Sequence, residues 1–148
     1  MSGKTCFFIG SRHAPNRIEE QLAEAVENHI TEYGVTNFTV GRYGLFDSLV
    51  IGVLKEVKKQ YSHIKLYLLA PYALNQNTEA PEGFDGTFYP EGLEFVPKRY
   101  AIVQANHYMI QHSDYLIAYA SSVGNSRKIV EYAQGREKRG LIKVTLLK

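Results

Sequence analysis

The sequence predicts an α/β fold: a mainly parallel, five-stranded sheet with helices on both faces and predicted strand order 3-2-1-4-5. Three observations predict it. Short runs of β-branched and aromatic residues alternate with segments of helical apolar spacing along the whole chain. Each intervening segment is long enough for a right-handed crossover between parallel strands. The first strand halts abruptly at Gly10, with Ser11-Arg12 after it, a turn tight enough for a ligand to reach the backbone.

The first strand is Lys4 to Ile9, and Cys6 within it reads as a small core side chain. From Asn16 to Tyr33, residues Ile18, Leu22, Ala25, Val26, His29 and Ile30 share one helical face, opposite Glu19, Glu20, Glu24 and Glu27; Gly34 is a natural stop. Val35 to Val40 is the second strand. A helix over Phe46 to Tyr61 points Leu49, Val50, Val53, Leu54 and Val57 inward, and Ile64 to Ala70 is the third strand.

Pro71 bars an immediate helix, and residues 72–97 read as one long irregular excursion. Pro81, Pro90, Pro97, Gly83, Gly86 and Gly92 interrupt it, and Phe84, Phe88, Tyr89 and Phe95 look exposed. Loops this long usually carry function or are ordered by a partner. Helical spacing returns over Lys98 to Gln111, with Ile102, Val103, Tyr108, Met109 and Ile110 available for burial. Tyr115 to Ala120 is the fourth strand, Arg127 to Lys138 the last helix, and Ile142 to Leu147 the final strand. The sum is a Rossmann-like three-layer sandwich forming a single domain over residues 1–148.

Composition excludes several classes. Seventeen basic against fifteen acidic residues give a net charge of +2, too balanced for a nucleic-acid backbone binder. No run approaches the roughly 18 apolar residues of a membrane span, and the chain enters its first strand without signal-peptide features, so a cytoplasmic location is expected. Eleven tyrosines without a tryptophan serve cores, interfaces and base stacking alike. His107 and His112 lack partners at metal-ligand spacing, so neither a metal nor a cofactor is expected.

Strand order 3-2-1-4-5 reverses direction between the first and fourth strands, and their carboxyl ends form the expected crevice. Three loops meet there: Gly10-Ser11-Arg12, Gly41 to Asp47 with Tyr43 and Gly44, and Ser121 to Ser126 with Gly124 and Asn125. Glycine permits close backbone approach, and helix starts attract anions. Arg12 and Arg127 are candidate phosphate partners, Tyr43 a base-stacking ring, and Asp47 either a helix cap or an acceptor of ribose hydroxyls. Asn125 and Ser126 suit an N-cap with or without a ligand. Arg99 and Asn106, seven apart, share a helix face toward the same crevice. Glu131 is the candidate general acid or base, although exposed helix glutamates are far more common.

Across Phe8-Ile9-Gly10-Ser11-Arg12, Val40-Gly41-Arg42-Tyr43-Gly44-Leu45-Phe46-Asp47, Phe84 to Pro90, Arg99 to Asn106, Ser113 to Tyr119, Asn125-Ser126-Arg127 and Glu131-Tyr132-Ala133, the chain resembles the SLOG superfamily and its small YpsA-like proteins. The resemblance implies a nucleotide-binding domain, with an NAD- or ADP-ribose-type or cyclic signalling nucleotide as ligand. Members that hydrolyse nucleoside monophosphates carry Pro-Gly-Gly-x-Gly-Thr before the last helix and a glutamate just after. This chain has Ser122-Val123-Gly124-Asn125-Ser126 there, with Glu131 farther on. Many YpsA-like sequences also have histidine where Ser11 stands. The expectation is therefore a sensor or sequestering protein that binds without turnover. The alternative is a nucleotide N-glycosidic hydrolase. A homo-oligomer using the aromatic stretch 84–95 is expected.

Overall fold

The structure, a computed structural model, describes residues 3–72, 80–120 and 124–148. The elements in chain order are β1 (Lys4–Gly10), a 3₁₀ turn (Asn16–Ile18) leading into α1 (Glu19–Thr31), β2 (Val35–Val40), α2 (Leu45–Gln60) and β3 (Lys65–Leu69). They continue as β4 (Gly86–Phe88), a 3₁₀ turn (Leu93–Phe95), α3 (Lys98–His112), β5 (Tyr115–Tyr119), α4 (Asn125–Lys138) and β6 (Lys143–Leu146). The sheet is parallel throughout, in the order β4-β3-β2-β1-β5-β6.

The alternation of side chains along β1 builds both cores. Cys6 and Phe8 point to the face covered by α1 and α2, where they meet Leu22, Val26, Val50 and Leu54. Phe7 and Ile9 point to the opposite face, against Ala105, Met109, Ile110 and Val130 of α3 and α4. A central strand buried on both faces has no polar side to present, which is why Cys-Phe-Phe-Ile reads as continuous apolar chain. The layers follow from chain direction: α1 and α2 carry the sheet outward from β1 to β3, and α3 and α4 carry it the other way.

The five expected strands keep their expected order. A sixth, β4, extends the β3 edge from within the stretch expected to be irregular. Three residues beginning with glycine are too short to show a period of two. What holds them is Asp85: its N–H bonds the Leu66 carbonyl at 2.8 Å, and its carboxylate accepts the Leu66 N–H at 2.8 Å and an ion pair from Lys58. The expectation of exposed aromatics is corrected in the same region. Phe84 packs on the α1/α2 core, Phe88 and Tyr89 pack on the α3/α4 core, and Phe95 alone of the four is fully turned outward. Val103, expected to be buried, is exposed.

Gly10 is a steric necessity. A Cβ built there would overlap the buried ring of Phe46 at the start of α2. Gly10→Ala is expected to destabilise the protein by about 1–3 kcal/mol in urea unfolding, as overpacking does. In the Phe46→Leu background the same substitution should cost less. Additive costs in that double-mutant cycle would show that the ring does not enforce the glycine.

Candidate functional site

A cavity of about 530 Å³ opens at the carboxyl end of the sheet, between β1 and β5. That volume lies within the range of small-molecule sites. Its floor is the end of β1 and the turn Gly10-Ser11-Arg12-His13. One wall is Gly41, Tyr43, Gly44 and Asp47 from the β2–α2 connection, and another is Gly124, Asn125, Ser126 and Ile129 at the start of α4. Ile102, Val103 and Asn106 of α3 close the remaining side.

Backbone bonds hold these walls in place. The Ser11 N–H bonds the Tyr119 carbonyl at 2.9 Å, tying the first turn to the end of β5. The Leu45 N–H bonds the Arg12 carbonyl at 3.1 Å, tying the same turn to the start of α2. A Cβ on Gly44 would come within 2.5 Å of the Arg12 Cα, so these two loops touch backbone to backbone. The Ser11 N–H is therefore committed to the fold. Its hydroxyl accepts the His13 N–H at 3.2 Å and keeps its own proton to donate.

The start of α4 is open to an acceptor, whereas the first N–H of α2, that of Leu45, is committed to Arg12. Gly44 and Gly124 occupy their N-cap positions, and neither helix has a side-chain cap bond. The expected capping roles of Asp47, Asn125 and Ser126 are thus corrected: Asn125 and Ser126 are the first residues of α4, preceded by Gly124 at φ 106°. Glycine readily takes that conformation, which other residues rarely adopt. Among the described residues no side chain caps the first-turn N–H groups of α4, which border the cavity. Asp47 instead reaches back to accept the Tyr43 N–H at 3.0 Å, bracing the loop ahead of its own helix.

Most of the expected residues come together: Gly10, Ser11, Arg12, Gly41, Tyr43, Gly44, Asp47, Asn106, Gly124, Asn125 and Ser126 line the cavity. Ser121 lies outside the described residues. Three do not join them. Arg99 places its guanidinium 4.9 Å from the Tyr100 ring centroid, and Arg127 pairs with Glu131 at 3.5 Å on the solvent side of α4. Helical spacing explains Arg99: positions seven apart share a face only approximately, and α3 turns Asn106 inward while leaving Arg99 exposed. His107 and His112, the best-placed histidines by sequence, stack on Tyr132 and Tyr108.

Sequence reasoning missed His13, Ile102, Val103 and Ile129. His13 directly follows the Gly-Ser-Arg turn, a signal that was available. The apolar wall residues gave none, because an apolar side chain facing a cavity has the same periodicity as one facing the core.

Two polar groups stand out. Asn106 is only 9% exposed and lines the cavity. Its amide can both donate to and accept from a molecule in the cavity. Burial pushes the half-buried Asp47 carboxyl up to about 6 from an ordinary 3.8, although the Tyr43 N–H bond pulls the other way. The Tyr43 hydroxyl is pushed up too, by burial first and then by Tyr72 and Asp47. Its ring folds over Gly41, where a Cβ would lie 2.9 Å from the ring edge.

Fold and site together define an α/β protein with a ligand-sized cleft at its topological switch point. No known protein-family model matches the chain, and no curated protein matches it at a significant level. Among the described residues, no three His, Cys, Asp or Glu side chains gather as a metal site would require, and no helix is long and apolar enough to cross a membrane.

Asp47 carries a pH signature. Its folded pKa lies above its unfolded value, so its favourable contribution is full below about pH 4 and is lost as pH rises toward 6. Asp47→Asn keeps an oxygen for the Tyr43 N–H and removes the buried charge. The variant should be more stable than the parent by about 1–2 kcal/mol at pH 7.5, with the difference vanishing near pH 4. His29, whose burial holds its pKa below the ordinary value, changes stability in the opposite direction. The measurement is therefore the variant-minus-parent difference in urea unfolding at each pH, where a flat difference would contradict the assignment.

Proposed function

We propose that the cavity binds a nucleotide-derived small molecule of the NAD or ADP-ribose type, and that the protein acts as a sensor or sequestering protein. The observation that carries the reading is the pairing of opposite chemistries across one cleft. Arg12 and the uncapped start of α4 form an anion-friendly side, while Tyr43 and the Asp47 carboxylate form a side suited to a base and to ribose hydroxyls. Asn106 adds an amide, and Ile102 and Ile129 add apolar surface, to the same cavity lining. At neutral pH Asp47 is mostly ionised and accepts hydroxyl protons. The same pattern agrees with what the likeness to SLOG proteins implies. Glu131, on the solvent side of α4 and ion-paired to Arg127, supplies no catalytic group to the cleft.

Titration calorimetry against ADP-ribose, cyclic ADP-ribose isomers, NAD and AMP tests the reading. At least one should bind with micromolar affinity, and failure of all four to bind better than about 1 mM would overturn it. Arg12→Ala should weaken the tightest ligand about 10–100-fold, the worth of a charge-assisted hydrogen bond. Arg127→Ala, outside the cavity, should leave affinity unchanged.

A second reading, nucleotide N-glycosidic hydrolysis, draws on one observation: a half-buried cavity carboxyl with a pKa near 6 is poised for proton transfer. In that case Asp47, in place of Glu131, protonates the departing base. Incubation with nucleoside monophosphates should then release free base, and Asp47→Asn should stop the release. Release that survives the substitution would rule out this assignment.

A further inference from the structure

The outer face of the segment leading into α3 is unusual. Phe95 is 85% exposed, Tyr100 50% and Val103 42%, while the inner face of α3 is already filled by Ala101, Ala105, Met109 and Ile110. Tyr100 and Val103 are three residues apart and so lie on one side of the helix, and Phe95 sits in the 3₁₀ turn just before it. Isolated exposed apolar residues need no explanation, but a cluster of two aromatics and a valine on one helix entrance calls for a cover.

The charges around this cluster say what the cover is. Exposed Glu91 and Glu94 precede Phe95, and exposed Lys98 and Arg99 follow it. One end of the segment is acidic, the other basic, and the middle apolar. Such a surface is complementary to itself turned by 180°, the relation that a two-fold axis imposes. We propose that this face is the interface of a symmetric homodimer, with a second copy of the chain as its occupant. Phe95 and Tyr100 of the two copies pack about the axis, while Glu91 and Glu94 of each meet Lys98 and Arg99 of the other. An anionic membrane or a uniformly acidic partner fits less well, because either would meet Glu91 and Glu94 with like charge. The Arg99 guanidinium lies 4.9 Å from the Tyr100 ring centroid, and the Lys98 ammonium 6.0 Å from that of Tyr72, so basic and aromatic groups are adjacent on this face. Val103 also lines the cavity, so the interface borders the cavity mouth. The proposal holds whether or not the cavity binds nucleotides.

Sedimentation velocity over a micromolar concentration series is the test. The parent protein should sediment as a dimer. Phe95→Asp should sediment as a monomer with unchanged circular dichroism, because that side chain is 85% exposed, and with a melting temperature that no longer rises with protein concentration. Glu94→Lys and Lys98→Glu should each weaken the dimer by about tenfold or more, and the double reversal should restore it, since each copy then again presents opposite charges to the other. A parent protein that stays monomeric, a dimer indifferent to Phe95→Asp, or charge reversals that do not rescue one another would overturn the proposal. So would a monomeric parent that co-sediments with phosphatidylserine vesicles, which would assign the face to a membrane.

Discussion

The contact on which the rest depends is the Phe46 ring against the backbone of Gly10. It joins the end of the central strand to the start of α2 without an intervening side chain. With Phe46 seated there, the Leu45 N–H reaches the Arg12 carbonyl and Gly44 lies against the Arg12 Cα. The first and second crevice loops are thereby fixed relative to each other. The Ser11 bond to Tyr119 then fixes both relative to β5. Close packing transmits position in this way: one buried ring against one bare backbone leaves little room for either loop to move.

The two ends of the sheet spend their polar groups differently. At the amino end, the Asp114 carboxylate accepts the Thr5 N–H at 3.0 Å, and Tyr33 and Tyr115 stack with ring centroids 5.1 Å apart. The buried His29 meets both rings edge-on, and Lys143 donates to the Tyr33 hydroxyl at 2.7 Å. That end is closed by aromatic packing. At the carboxyl end, Asn106 lines the cavity, the start of α4 has no side-chain cap among the described residues, and Asp47 holds a carboxylate whose ionisation burial opposes. The cavity end thus keeps bonding capacity that a ligand would complete, as functional clefts commonly do.

The surface of α3 follows the same reasoning at a larger scale. Its inner face serves the second core, Ile102, Val103 and Asn106 line the cavity, and Tyr100 turns outward. A helix with three roles does not show a clean amphipathic pattern. Val103, apolar and at a spacing compatible with burial, therefore read as core although it is exposed.

The order of five strands, the faces of α1 and α2, and the identity of the three crevice loops were all legible in the amino-acid sequence. Each is a local property: continuous apolar runs mark doubly buried strands, the 3.6-residue period marks a helix face, and glycine marks close approach. Tertiary structure alone decided β4, because three residues pair as a strand only when Asp85 clamps them to Leu66. It alone separated Asn106, which reaches the cavity, from Arg99, which does not, since both lie on nearly the same face of α3. It also decided that Arg127 turns to Glu131, and that Asp47 braces Tyr43 while facing the cavity. Side-chain direction at a helix start depends on what packs beside it, and those neighbours come from distant parts of the chain.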